Sequence, residues 1–299
     1  MAEGTVNEER SLRAGTADEG DSDKEERADG FISKLANLFK KKINVAKWAD
    51  ADKSDDFVMK KLKLTGLSGE ALTQHTNYKF YEQFVTLKRV NAWQKADAST
   101  YAVWRELGLG HINTWDDLVN AADTDAFKLY LQYAEAFDKK AITKSVLEFK
   151  PLPILGTDTS WSERVARIVS WRATGKLEEY VVLALGFDRF SPAELLANKN
   201  GKAFEIFWLL KNDKSLHVNP QSTKDMLKKF EDLDKLSPQE MTILKSKDSL
   251  EKPQRRSKFI FRKVLGMRDV PEAEIPKSEK FETYKYMYDL IKNDKSEGY

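Results

Sequence analysis

The sequence predicts an all-α protein built from repeated helical units, and three observations carry that prediction. One phrase recurs four times, opening at Leu62, Leu107, Leu185 and Leu265: Leu-x-apolar, two residues, an apolar position, a Leu or Ile five or six residues on, then an aromatic helix. Self-similarity at this scale marks stacked helical units rather than one large core. Ser followed by Gly or Pro and an acid, the chemistry of helix starts, occurs at Ser68-Gly69-Glu70, Ser191-Pro192-Ala193-Glu194 and Ser237-Pro238-Gln239-Glu240. No long run alternates apolar and polar residues at the period of two that a half-buried strand requires.

Taken in order, residues 1–30 hold ten Asp/Glu against four Lys/Arg and almost no large apolar residue. Such a stretch buries too little surface to offset its ordering entropy, and it reads as a disordered leader. With a whole-chain charge of +2, the remainder carries about +8. Residues 31–48 read as an amphipathic helix, with Phe31, Leu35, Leu38, Phe39 and Ile43 near one face and Lys34, Lys40, Lys41 and Lys47 mostly away from it. Packing against the first unit is the expected use of that face; a membrane-surface helix or a basic targeting signal is the alternative.

The body then runs through the four phrases. A tryptophan stands fourteen residues before the lead leucine in three copies (Trp48 before Leu62, Trp93 before Leu107, Trp171 before Leu185), while Glu251 takes that place before Leu265. The helices that follow carry Phe80, Tyr81 and Phe84; Phe127, Tyr130 and Tyr133; Phe204 and Phe207; and Phe281, Tyr284 and Met287. Spacings of three and four put each set on one helical face, where the expected role is core packing. In each copy Leu-x-apolar is expected to end one helix and turn into a short loop. Pro151–Gly156 is the expected boundary between structural units. Breaks are also expected at Asn212–Pro220 and Ser246–Ser257, and residues 211–258 fit the pattern poorly, as an irregular or elaborated linker would.

Composition narrows function. Apolar residues make up 41% of the chain and charged residues 33%, which suits a surface-rich helical array. A net charge of +2 gives no bulk case for nucleic-acid binding. No apolar run reaches the roughly 18 residues needed to span a bilayer. Cysteine is absent, so disulfides, thiolate metal sites and thiol nucleophiles are excluded together. The opening Met-Ala-Glu-Gly lacks an apolar signal core, as a mature form with an added Met would. His75, His111 and His217 are the only histidines, and none sits in a metal-ligand spacing. Gly108-Leu109-Gly110 approaches a dinucleotide fingerprint, but Asn113 stands where its third glycine belongs. Neither a cofactor nor an enzymatic activity is expected, and binding is.

The leader carries a further pattern: Arg10-Ser11-Leu12-Arg13, followed by Asp21-Ser-Asp-Lys-Glu25-Glu26-Arg27. Together with the Trp/Tyr helical repeats downstream, this arrangement resembles the RxLR-dEER secreted effectors of oomycete plant pathogens such as Phytophthora. The repeats are similar to the W, Y and L motifs of that family's WY and LWY folds. Arg167-Ile-Val-Ser-Trp171 through Tyr180 to Leu185-Gly-Phe187 resembles the junction into a W motif, and Asn77–Glu82 a Y-motif helix. The resemblance implies a leader over 1–30, a WY-type bundle with L/W-Y-like helices over 31–150, and LWY-like units over 151–299. It also implies export and processing at Arg10–Arg13 and Glu25–Arg27, and a structural core at Trp48, Leu62, Tyr81, Trp93, Leu107, Tyr130, Trp171, Tyr180, Leu185, Phe204, Leu265 and Tyr284. Such a protein is secreted by the pathogen, enters plant cells, works in the cytoplasm or nucleus, and binds a host protein to suppress or redirect immunity. A host immune receptor is a further partner the resemblance allows; oligomeric state is not legible. Two alternatives stand beside the host-protein reading: recruitment of a host phosphatase by mimicry of a regulatory subunit, and membrane association through helix 31–48. Ser257–Phe261 loosely matches the basic-apolar-x-Phe peptides that dock a phosphatase, and Lys252–Lys258 reads as an exposed basic loop.

Overall fold

The computed structural model describes residues 40–155, 159–212, 222–245 and 254–292, and every described element is helical. The helices are α1 (40–50), α2 (Asp55–Lys61), α3 (Gly69–Thr73), α4 (Tyr78–Lys95), α5 (Thr100–Glu106), α6 (Trp115–Ala121), α7 (Asp125–Glu148), α8 (Trp161–Ala173), α9 (Glu178–Ala184), α10 (Pro192–Ala197), α11 (Asn200–Asn212), α12 (Thr223–Asp234), α13 (Pro238–Lys245), α14 (Gln254–Val264) and α15 (Phe281–Ile291). The chain forms two compact units, Met1–Asn91 and Ala92–Tyr299. That division falls within α4, away from Pro151–Gly156. The segment before Gly156 is instead tied into the second unit: Leu155 N–H donates to the Ala184 carbonyl at 2.8 Å, and Arg189 donates to the Leu152 carbonyl at 2.7 Å.

The recurring phrase is a helix stop, and its chemistry is visible in all four copies. Leu62, Leu107 and Leu185 are the C-caps of α2, α5 and α9, and Leu265 directly follows α14. The next residue is left-handed each time: Lys63 (φ 59°), Gly108 (74°), Gly186 (77°) and Gly266 (72°). The apolar residue after it donates back across the turn, Leu64 to Met59 at 2.8 Å, Phe187 to Val182 at 3.2 Å and Met267 to Arg262 at 2.7 Å. These bonds satisfy the last carbonyls of the helix and drive the apolar side chain onto the core. In the second copy the chain passes straight into a 3-10 turn at Leu109–His111.

A second recurrence was not read from the sequence. Fifteen residues past the lead leucine, Asn77 and Asn200 each donate to its carbonyl, at 2.8 Å to Leu62 and 2.8 Å to Leu185. Thirteen residues past it, His75, Asn198 and Ser278 each accept the backbone N–H two residues on. His75 is thereby a helix-entry residue, and Nδ1 is its acceptor.

In the first unit Val45, Ala49, Val58, Leu62, Leu64, Phe80 and Phe84 form the core, with Trp48 edge-on to Phe57 at 5.9 Å. Helix 31–48 packs as expected over its described part, with a rotated face. Ile43 is 55% exposed, while Val45 and Ala49 point inward and Lys41 turns in to donate to Asn77 at 2.8 Å. In the second unit α11 packs against α8, α9, α10, α12 and α15. Ala203, Phe204 and Ile206–Leu210 are all buried, so α11 is apolar around most of its circumference, as a central helix must be. Gly201 sits where α11 meets α15, and a Cβ there would lie 1.9 Å from the Tyr286 hydroxyl.

The expected caps hold at Ser191 and Ser237, whose hydroxyls and partner glutamates exchange bonds with the backbone. Ser68 has the extended cap geometry but no side-chain bond. Residues 222–245 correct the linker reading. Ser222 and Asp225 form a reciprocal cap, and Leu227, Phe230 and Leu233 bury one face of α12. Residues 254–258, expected in a loop, begin α14.

Candidate functional site

Asp138 on α7 is the densest polar centre among the described residues, and it is fully buried. Its carboxylate accepts from the Arg167 guanidinium and from Trp171 Nε1 (2.8 Å), both on α8, and from the Tyr180 hydroxyl (2.5 Å) on α9. The guanidinium lies over the Trp171 and Phe137 rings at 5.1 and 5.6 Å. Burial works against the Arg167 cation, but Asp138, Tyr130, Tyr180 and Glu163 together outweigh it and the Arg167 pKa is raised. Burial, then Asp138, pushes the Tyr180 hydroxyl up as well. Perturbed titrating groups can mark catalytic centres. Here both Asp138 oxygens are occupied by protein donors and closed from solvent, so the cluster joins α7, α8 and α9 and leaves no reacting group exposed. Beside it, the Tyr130 hydroxyl donates to buried Glu163 at 2.8 Å.

The sequence-predicted residues fall into distinct places. Arg10–Arg13 and Glu25–Arg27 lie outside the described residues, as do His217 and Glu251. Leu62, Trp93, Tyr130, Trp171, Tyr180, Leu185, Phe204, Leu265 and Tyr284 are buried; Trp48, Tyr81 and Leu107 are half-buried. Trp93 stands edge-on to Tyr133 at 5.4 Å, and Trp171 edge-on to Tyr180 at 5.8 Å. Tyr81 donates to Asp55 at 3.0 Å. Trp104, outside the recurring tryptophan position, is fully buried against Tyr130 at 4.7 Å. His111 Nδ1 meets the Gly108 carbonyl at 2.6 Å within its own turn. The docking-peptide match at Ser257–Phe261 is helical, with Ser257, Ile260 and Phe261 buried, so it is no extended ligand for another protein. No local pattern marks Asp138, because its partners stand 29 to 42 residues away.

What remains exposed is informative. α7 ends in Val146, Leu147 and Phe149, exposed by 67, 72 and 91%. Phe149 is the C-cap in a left-handed conformation (φ 54°, ψ 27°), where glycine is the usual residue. Two hollows in the second unit, of about 140 and 160 Å³, flank the inward face of α7 at Phe137. Both are smaller than the roughly 300 Å³ at which small-molecule pockets begin. Among the described residues no group of three His, Asp or Glu could hold a metal ion, and no helix is long and apolar enough to cross a membrane.

The chain is an all-α protein with a recurring left-handed turn, a sealed polar centre and an exposed apolar helix end. The family model for "RXLR phytopathogen effector protein, Avirulence activity" matches residues 1–89. A protein named "RxLR effector protein Avr1" from Phytophthora infestans (strain T30-4) is 31% identical over 179 residues, covering 58% of this chain and 77% of that protein. A "Secreted RxLR effector protein" of the same organism is 29% identical over 175 residues, covering 56% of this chain and 72% of its own. The chain belongs to the RxLR effector family, the secreted effectors of oomycete pathogens that enter host cells. No solved structure matches it.

Proposed function

We propose that this effector works inside the plant cell by binding a host protein through its helical-repeat surface, and not by catalysis. The observation that carries the reading is the end of α7. Phe149 combines a left-handed backbone, which costs a non-glycine residue about 1–2 kcal/mol, with an aromatic ring 91% exposed, and among the described residues no burial of the ring offsets that strain. An unrepaid outlier of this kind is the expected mark of a binding anchor. Val146 and Leu147 add two more exposed apolar side chains at the same helix end.

Suppression or redirection of immunity follows from such binding, and Arg10–Arg13 with Glu25–Arg27 serves as the export and processing leader. The four Leu-turn units, three with an upstream tryptophan, support reading them as WY- and LWY-type repeats. The test is affinity purification of the tagged full chain from plant cells, compared with Val146→Asp/Phe149→Ala. A stoichiometric host protein recovered by the wild type and lost from the variant supports the reading. Recovery of the same protein at equal yield by both removes the α7 end from it.

A further inference from the structure

We propose that the outward face of α14 is a second docking surface, and that its partner is an acidic protein segment with an apolar anchor residue. The inference rests on the host-protein-binding reading and adds the chemistry of one contact.

The first observation is the charge at the start of α14. α14 is the counterpart of α2, α5 and α9, since each runs into the left-handed turn of its unit, and α5 opens Thr100-Tyr101-Ala102 with no charge in its first turn. α2 opens with Asp55 and Asp56, and α9 with Glu178 and Glu179, as the positive end of a helix dipole favours. α14 has no acid in its first turn and instead opens Gln254-Arg255-Arg256. Its sequence, QRRSKFIFRKV, contains five cations and no carboxylate. Helix stability does not explain this choice, because cations at that end oppose the dipole.

The second observation is how the side chains divide. Ser257, Ile260 and Phe261 are buried, and Lys258 lies over the Tyr288 ring at 4.4 Å. Arg262 turns toward the carbonyls of Met267 and Val270. Arg256, Phe259 and Lys263, spaced three and four apart, remain on one exposed face. Phe259 is 53% exposed, with the Arg268 guanidinium 5.8 Å from its ring. Lys263 meets Glu179 at 2.9 Å, an exposed pair of little energetic weight; Arg256 acts through space on the buried Glu178 carboxyl, and Arg268 makes no ion pair with a described residue. The result is an aromatic side chain set among three cations.

Charge complementarity selects an acidic partner, and Phe259 asks for an apolar side chain at its centre. A lipid surface fits less well: the apolar face of α14 is used in the core, leaving one aromatic residue to insert, where an interfacial helix needs a whole face. Nucleic acid fits less well because the basic strip covers a single helix on a chain of net charge +2.

The probe is a fluorescein-labelled peptide of Asp and Glu with a leucine at every third or fourth position, titrated by anisotropy against the full chain. Single-stranded DNA and phosphatidylserine vesicles are run in parallel. We expect saturable peptide binding that weakens with salt. Arg256→Glu/Arg268→Glu should lose about tenfold or more in affinity, and Phe259→Ala about fivefold. Both variants alter exposed side chains, and circular dichroism should show each one folded, so that a lost signal reports the surface and not the fold. Absence of peptide binding overturns the proposal. So does equal binding by Phe259→Ala, which would leave only diffuse charge attraction, and so does tighter binding of DNA or vesicles. If the charge-reversed variant loses the peptide but keeps its host partner in plant extract, this surface is not the partner's and the broader binding reading survives.

Discussion

The four Leu-turns make a graded prediction, because one backbone conformation sits in four different surroundings. Replacing glycine by alanine at a left-handed position costs about 1–2 kcal/mol in backbone strain. That is reduced by the smaller entropy alanine loses on folding, about 0.5–1 kcal/mol. A Cβ at Gly108 or Gly266 meets nothing within 4 Å, so Gly108→Ala and Gly266→Ala should each cost about 1 kcal/mol. At Gly186 the Cβ would lie 2.6 and 2.7 Å from two Phe190 ring atoms. Overpacking adds about 1–3 kcal/mol, so Gly186→Ala should cost about 2–4 kcal/mol. The first unit supplies the reverse experiment: Lys63 already bears the strain at φ 59°, and Lys63→Gly should stabilise by up to about 1 kcal/mol. Urea unfolding of the full chain, followed by circular dichroism and tryptophan fluorescence, reads all four midpoints. A double-mutant cycle with Phe190→Ala should cancel the excess at Gly186. Equal losses at the three glycines, or a destabilised Lys63→Gly, would refute the claim that this turn is a strained helix stop.

Three other outcomes are expected. Asn200→Ala strips a fully buried carbonyl of its donor and should cost about 1–3 kcal/mol in the urea midpoint, whereas Asn77→Ala, at a half-exposed site, should cost less. Asp138→Ala strands the Arg167 cation and should cost about 3–5 kcal/mol, while Asp138→Leu/Arg167→Met should recover most of it; a double variant as unstable as the single would show that geometry, not charge, dominates. Burial holds the Glu178 carboxyl above its ordinary range, so its folded pKa exceeds the unfolded one and stability is lost as pH rises through that interval. Glu178→Gln should therefore match the wild type near pH 4 and exceed it by pH 7, and a pH-independent difference between the two would contradict that sign.

Much of the fold was legible because its signals are local. The Leu-x-apolar turn, the Ser-Pro caps and the spacing of the aromatics each act over a few residues. Trp171 beside Tyr180, and Trp48 beside Phe57, follow from one helix–loop–helix spacing used twice. What escaped the sequence is long in reach or polar in appearance. Asp138 reads as one acid among many in a charged helix until α8 and α9 converge on it. α12 looked like linker, although Ser222-x-x-Asp225 and the spacing of Leu227, Phe230 and Leu233 were readable signs. The face of α1 was misplaced because the run 31–43 suggested a stripe that the described part turns away from, toward Val45 and Ala49. The leader motif was legible as a pattern alone, and its residues lie outside the described structure.

The two candidate surfaces arise where the repeat does not dictate the residue. A lead leucine, a left-handed residue and an apolar return are needed in every unit, and helix-packing aromatics must point inward, so these positions answer to the core. The end of α7 and the outer face of α14 carry no such duty. Phe149 could be a glycine with a gain in turn geometry, and Phe259 could be a polar residue with a gain in solubility of an exposed face. Residues that lower the stability of their own element without serving another contact in the fold are best explained by a contact outside it. By the same reasoning Phe149→Gly should raise the urea midpoint while removing the α7 anchor. A variant more stable than the wild type but unable to recover the host protein would separate binding from folding at a single residue. If Phe149→Gly instead lowered stability, the ring would be serving the fold after all.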